Sequence, residues 1–182
     1  MFLGRTLIQG SPRDLSVFLL LLPLAFSAVM HSGCRSHTTV PDETTTGKIL
    51  ASAESTFLAM KERDYPGIWT RLSATSRDTI VDDTLKAIAR GGGGLAPRES
   101  IERDFREGGP VSRSYWEGLL RRFDPDTALK ESRWEMGEVT ESQAIVLITS
   151  KKAQKPAVVI LLREDGTWKM GLVESFWHQP AR

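Results

Sequence analysis

The chain has 182 residues, with 24 Lys and Arg against 23 Asp and Glu, and it contains a single cysteine. A charge balance this close to zero provides no basic surface of the kind that binds nucleic acid or anionic lipid, so we expect no nucleic-acid partner. One cysteine cannot form an internal disulfide, which excludes a disulfide-stabilised scaffold.

Residues 1–33 have the three parts of an export signal. The first part is positively charged, residues 15–30 are almost entirely apolar, and Ser32 and Gly33 offer small side chains to a peptidase. The apolar run is shorter than the roughly 20 residues that a permanent transmembrane helix needs. Cys34 follows directly.

This leader resembles the signal of bacterial lipoproteins, in which the cysteine is acylated and becomes the first residue of the mature protein. The resemblance implies that Cys34 carries a lipid and holds the protein at a membrane of the cell envelope, on the periplasmic side. Arg35 favours the outer membrane under the same sorting pattern, with the inner membrane left open. His31 departs from the pattern, because an aliphatic residue usually stands there. An ordinary cleaved signal and an uncleaved anchor are therefore the alternatives.

Residues 34–46 combine the lipid-attachment cysteine with a polar, threonine-rich stretch that has no apolar period. Such a composition is typical of a flexible tether. The remaining residues, 47–182, have the length of one domain.

Apolar residues recur at helical spacing through the first half of this domain. The stripe that begins at Ile49 predicts a first helix, capped by Thr46 and ended before Pro66. Further helices are predicted from Pro66, over 78–90, over 97–107 and over 112–123. The glycine run 91–94 follows a helix and lacks a Lys-Ser/Thr pair, which favours a helix end over a phosphate-binding loop.

The second half of the domain has the texture of strands. Asp165-Gly166 between apolar runs predicts a hairpin, and connections this short favour an antiparallel meander. The middle two strands are apolar on both faces, so the face not covered by helices needs more helix or a second copy of the chain, as in a homodimer. The predicted strands are 134–139, 144–149, 157–162 and 167–177.

This order of elements is similar to the nuclear transport factor 2-like domain, a cystatin-like cone, and to its members among small bacterial exported lipoproteins of mostly unknown function. The passages STFLAMKERDYPGIWTRLS, VVILLREDGTWKM and GLVESFW carry the resemblance, which covers about residues 47–178. It implies an α+β fold whose sheet wraps around the first helix and leaves a pocket. Relatives usually have an early hairpin between the second and third helices, whereas residues 73–125 look mainly helical.

We expect apolar side chains of the first helices and the last strands to line that pocket. Alternation along residues 167–177 places every second side chain toward the core. Tryptophan is also a good core filler, so the aromatic members of the set have a packing interpretation too. The candidates are Phe57, Met60, Tyr65, Trp69, Trp134, Met136, Trp168, Met170, Leu172 and Phe176.

We assign no catalytic residue from the sequence. Glu174 and His178 share the parity of the core-facing side chains, and Asp64 stands where some catalytic relatives keep an acid, so these three are the candidates for proton transfer. Their structural alternatives are a rim position or an ion pair for Glu174, a poorly ordered chain end for His178, and helix capping for Asp64. Histidines are too scattered to suggest a metal site, and no cofactor is expected.

The sequence therefore favours a membrane-anchored, non-enzymatic binding or interaction module, with a small apolar ligand or an envelope protein as its partner. Two alternatives stay open. One is an isomerase-like or cyclase-like enzyme that uses a pocket carboxylate. The other is a structural, dimeric envelope protein without a ligand.

Overall fold

The computed structural model of the chain describes residues 42–94 and 96–177. The predicted export signal, Cys34 and His178 lie outside the described residues. The described part is α+β, with helices followed by a four-stranded antiparallel sheet, as predicted. The helices are α1 (Glu43–Glu62), α2 (Tyr65–Arg71), α3 (Ala74–Arg90), α4 (Arg98–Glu107), α5 (Pro110–Leu120), α6 (Pro125–Lys130) and α7 (Leu172–Phe176). The strands are β1 (Ser132–Val139), β2 (Gln143–Ser150), β3 (Ala157–Glu164) and β4 (Thr167–Gly171).

Helix α1 begins earlier than the sequence predicts. Asp42 is its N-cap, and the carboxylate accepts a hydrogen bond from the backbone N–H of Thr45 at 2.5 Å. Hydrogen bonding from the side chain and then the backbone of Thr45 holds the pKa of Asp42 below its ordinary value. Residues 43–46 are therefore helical, so assigning them to the tether, with Thr46 as the cap, was wrong. A side-chain acceptor at this position satisfies one of the free N–H groups of the first turn.

Helices α3 to α6 lie between α2 and the first strand in chain order. Helix α3 ends at Gly91, and Gly92 has a φ of +77°, so the glycine run is a helix end as predicted. Helix α6 was not predicted. Asp124 accepts a hydrogen bond from the N–H of Asp126, and Pro125 occupies the first turn, where its missing N–H costs no bond. The Asp-Pro pair thus starts a helix, whereas the preceding helix already ends at Leu120, with Arg121 as its C-cap.

The sheet is a simple meander in the order β1-β2-β3-β4, as predicted. The β3–β4 connection is the predicted hairpin. Asp165 has a φ of +49° and Gly166 a φ of +76°, the pair of positive values that a type I′ turn requires. A bulge between Met136 and Val139 shifts the register of β1 against β2.

Strand β4 ends at Gly171, and the following residues form helix α7. The prediction of a strand through residue 177 was therefore wrong, and so was the alternation that placed Phe176 toward the core. Phe176 is 42% exposed. Two hydrogen bonds attach α7 to other elements: its Val173 N–H donates to Ser76 Oγ of α3 at 3.0 Å, and its Ser175 Oγ accepts from the backbone N–H of Ile160 in β3 at 2.8 Å.

Helix α1 crosses the inner face of the sheet. Near one edge, Ser52 Oγ donates to the carbonyl of Trp168 in β4 at 2.6 Å. Near the other edge, the ring of Phe57 meets Trp134 of β1 edge-on, with 5.6 Å between ring centroids. The helices thus cover one face of the sheet, as predicted. The buried side chains of that face include Ala144, Val146, Val159, Leu161 and Met170.

The opposite face of the sheet is also apolar at its centre. Its side chains are partly exposed, in contrast to those of the inner face. We call this set the outer sheet face; it consists of Ile145, Leu147, Val158, Ile160 and Leu162.

Within residues 42–94 and 96–177, no helix combines the length and the apolar character that crossing a membrane requires.

Candidate ligand-binding site

A hollow of about 280 Å³ lies where α1, α5 and α7 meet. Its volume is near the lower end of small-molecule sites, which run from about 300 to 1,000 Å³. We call it the apolar pocket, because every side chain that lines it is apolar. The lining consists of Phe57, Met60, Leu119, Phe123, Leu172, Phe176 and Trp177.

The inner wall of the apolar pocket is a connected set of aromatic rings. Phe57 stacks on Phe123 with a centroid distance of 5.6 Å, and Phe123 lies 6.3 Å from Phe176. Phe57 also contacts Trp134, whose Nε1–H donates to the carbonyl of Ala128 at 2.8 Å. Because Phe57 is packed against both Phe123 and Trp134, this part of the wall is formed before any ligand arrives.

The mouth of the apolar pocket exposes two large aromatic side chains. Phe176 is 42% exposed and Trp177 is 46% exposed. The N–H of Trp177 donates to the carbonyl of Val173 at 2.8 Å, which extends the last turn of α7 to the mouth. Exposed apolar surface beside a hollow is typical of a place where another molecule binds.

Glu174 fixes α7 to the start of α3. Its two carboxylate oxygens accept hydrogen bonds from Ser73 Oγ at 2.9 Å and from Ser76 Oγ at 2.6 Å. Ser73 is also the N-cap of α3, where it accepts from the N–H of Ser76. A carboxylate is favoured near this helix end by the helix dipole. Glu174 is therefore occupied in holding α7 and does not line the apolar pocket.

Asp64 caps α2, as its alternative interpretation had it: Asp64 Oδ1 accepts from the N–H of Gly67 at 3.0 Å. The structure places Asp64 and Tyr65 beside a separate, mixed-polarity hollow. Asp64 and Glu174 thus lie at different helix starts, and neither lines the apolar pocket.

The ten pocket candidates divide into two groups. Four of them line the apolar pocket: Phe57, Met60, Leu172 and Phe176. The others lie elsewhere: Trp168 and Met170 in the core, Trp134 and Met136 partly buried on β1, Trp69 at a hollow beside α3 and α4, and Tyr65 at the hollow near Asp64.

Sequence reasoning missed three lining residues: Leu119, Phe123 and Trp177. The first two belong to an apolar stripe that was recognised along residues 112–123. That stripe contains more apolar residues than packing against one neighbouring element requires. The surplus apolar residues were the sequence signal for a pocket wall.

A second hollow, of about 290 Å³, adjoins the apolar pocket and shares Leu119 and Trp177 with it. Arg121 and Arg122 lie along it, and both are exposed. We call it the arginine hollow. Tyr115 forms its inner side, and burial raises the pKa of that phenol, so the hydroxyl stays protonated at neutral pH.

The residues that the structure describes hold no group of three or more His, Cys, Asp or Glu side chains arranged for a metal ion. Comparison of the chain with models of protein families, with curated proteins and with solved structures finds no match. The geometry of the site therefore carries the functional argument.

Proposed function

We propose that the domain is a non-enzymatic binding module that holds a small apolar ligand in the apolar pocket. The observation that carries this proposal is the lining itself: seven apolar side chains, two of them large aromatics exposed at the mouth. A lining of this kind supplies affinity through burial of apolar surface. Among the residues that the structure describes, the lining presents no carboxylate, imidazole or thiol for proton transfer, which supports binding over isomerisation or cyclisation.

We further propose that the domain is a variant of the nuclear transport factor 2-like cone. Support comes from α1, which contacts both β1 and β4 across the sheet. Helices α3, α4 and α5 stand where members of that family usually have an early hairpin. Helix α5 contributes Leu119 to the apolar pocket, so the departure from the family pattern itself shapes the site.

The setting proposed for this module is the periplasmic side of a bacterial envelope membrane, with a lipid on Cys34. The leader resemblance supports it. Intact-mass measurement of membrane-extracted protein should show a chain that begins at Cys34 and carries acyl mass. A chain that retains residues 1–33 on extraction, or one without added mass, contradicts the lipid anchor and leaves the pocket proposal untouched.

Binding is tested by filling the apolar pocket. Leu119→Trp places a larger side chain in the hollow, whereas Leu58→Trp makes the same change at a 39% exposed position of α1 outside it. Decanol, a neutral apolar probe, should raise the melting temperature of the wild type and of Leu58→Trp by mass action. The rise should be much smaller for Leu119→Trp. Equal shifts in both variants contradict the proposal.

A further inference from the structure

The apolar pocket and the arginine hollow are neighbours. Leu119 and Trp177 line both, so these two side chains stand between an apolar lining and a lining that contains Arg121 and Arg122. A ligand that spans both hollows and matches their linings has an apolar end and an anionic end.

Arg121 and Arg122 carry charge that the described part of the protein leaves unpaired. Neither side chain makes an ion pair or a hydrogen bond within residues 42–94 and 96–177. Arg98 shows the contrast, because its guanidinium binds Asp82, and also Asp78 and Glu102 at 2.8 Å each. Two adjacent free guanidinium groups are suited to a carboxylate or a phosphate.

The position of Arg121 has a second physical explanation. It is the C-cap of α5, where the helix dipole favours a cation. The dipole accounts for a positive charge at this helix end. It does not account for the placement of both arginines beside an open apolar pocket with exposed Phe176 and Trp177 at its mouth.

The shape of the apolar pocket favours a single molecule over a membrane surface. Phe57 and Met60 are each 1% exposed and Leu172 is 2% exposed, so these side chains form a buried floor behind the exposed Phe176 and Trp177. A bilayer surface contacts protruding side chains and needs no hollow behind them. An alkyl chain, in contrast, gains free energy for each methylene that enters such a hollow.

We infer that the ligand is a single-chain anionic amphiphile, of the fatty-acid type, with its alkyl chain in the apolar pocket and its anionic head against Arg121 and Arg122. The inference rests on the proposed binding function, and it adds the charge and the orientation of the ligand.

The test compares decanoate, decanol and decylammonium, which share a chain and differ in head-group charge. Each is titrated calorimetrically, below its micelle concentration, into the full chain in zwitterionic nanodiscs, with empty nanodiscs as the blank. Decanoate should bind at least about threefold tighter than decylammonium, as expected for partly exposed charge pairs. High salt should remove this preference and leave decanol binding unchanged.

The matched variants are Arg121→Gln/Arg122→Gln and, as control, Arg90→Gln/Arg103→Gln, which removes two exposed arginines outside both hollows. The first should weaken decanoate binding by about fivefold, which corresponds to two exposed ion pairs, and should not change decanol binding. The control should change neither.

The outcomes separate the two levels of the proposal. If decanol binds and the Arg121/Arg122 variant leaves decanoate affinity unchanged, the arginines serve α5 only and the inference is overturned, while the binding function stands. If the variant loses adhesion to anionic vesicles but keeps its decanoate affinity, the surface faces a membrane and the inference is overturned too. If neither decanol nor decanoate binds the wild type, the proposed function itself fails.

Discussion

Glu174 ties α7, the helix at the pocket mouth, to the start of α3. Both of its oxygens are hydrogen bonded to serine hydroxyls. Ser76 Oγ in turn accepts from the N–H of Val173. Loss of the carboxylate leaves the two hydroxyl protons without their acceptor inside a packed region, which costs more than the bond alone.

We expect Glu174→Ala to lower the free energy of unfolding by about 2 kcal/mol, the range of hydrogen bonds to a charged group. Chemical denaturation measures it. Glu54→Ala, at an exposed position of α1, is the control and should change stability little. A double mutant with Ser76→Ala should be less destabilised than the sum of the single changes, because the two groups share one interaction. Strict additivity contradicts the contact.

Two glycines should respond to alanine in opposite directions. Gly47 lies inside α1, and an added Cβ meets nothing within 4 Å, so Gly47→Ala should stabilise the fold by about 0.5–1 kcal/mol. Gly166 has a φ of +76° in the β3–β4 turn, so Gly166→Ala should destabilise it by about 1 kcal/mol. Thermal unfolding measures both. If both substitutions change the stability in the same direction, the turn and helix assignments are contradicted.

Whether the role of a single residue could be predicted depends on how far apart in the chain the interacting residues lie. The Asp165-Gly166 turn depends on two adjacent residues and was predictable. The role of Glu174 was not, because Ser73 and Ser76 lie about a hundred positions away in the chain. Local pattern carries no information about such a pairing.

At the scale of elements, an ion pair links α1 to α6. Lys61 Nζ lies 3.0 Å from Asp126 Oδ1. This close contact with Lys61 holds the pKa of Asp126 below its ordinary value of 3.8, and it raises the pKa of Lys61 above 10.5. Lys130 shares the carboxylate at 3.3 Å.

These shifts give the pair a defined pH window. The lowered pKa of Asp126 means a contribution to stability that is present above pH 3.8 and is lost as the pH falls through the folded-state value. The raised pKa of Lys61 means a contribution to stability that is present below pH 10.5 and is lost as the pH rises through the folded-state value. Lys61→Met should therefore lower the melting temperature at pH 7 and flatten its fall on acidification.

Lys151→Met, at an exposed position in the loop after β2, is the control for Lys61→Met. Its melting temperature should follow the wild-type profile across the acid range. If the two variants have the same pH profile, the α1–α6 pair contributes nothing measurable.

Elements were predictable where their signals are local. Apolar periodicity predicted α1, α3, α4 and α5, and apolar runs with turn residues predicted the meander. Helix α7 was not predictable, because LVESF alternates loosely and continues the pattern of β4. Hydrogen bonds to Ser76, 97 positions from Val173, and to Ile160, 15 positions from Ser175, hold this helix in place. Tertiary contacts overrode local preference there.

At the scale of the whole molecule, the outer sheet face is the surface through which a second copy of the chain could bind. Ile145, Leu147 and Ile160 are partly exposed at its centre. We propose that this face packs against the same face of another copy, because burying its apolar side chains away from water stabilises the pair.

Light scattering should show a dimer for the wild type and a monomer for Leu147→Lys, because the new charge would be buried at the interface. Glu141→Lys, at an exposed site in the β1–β2 connection, adds a positive charge away from this face and should stay dimeric. A wild-type monomer contradicts pairing through this face and leaves the proposed ligand binding in the apolar pocket unaffected.

The apolar pocket was only partly predictable from the sequence, for a reason of geometry. Phe57 and Met60 belong to the first helix, whose inward stripe is evident. Leu119, Phe123 and Trp177 complete the site only because α5 and α7 meet at the same end of α1. How such elements pack against each other is set by the whole fold, which local patterns do not encode.

Nuclear Overhauser effects between a bound alkyl probe and the protein test the central claim most directly. Decanol bound to the full chain should show contacts from its chain protons to the Met60 methyl group and to the rings of Phe57 and Phe123, all of which line the apolar pocket. Contacts confined to Ile145, Leu147 and the rest of the outer sheet face, or no contacts at saturating probe, would contradict the account.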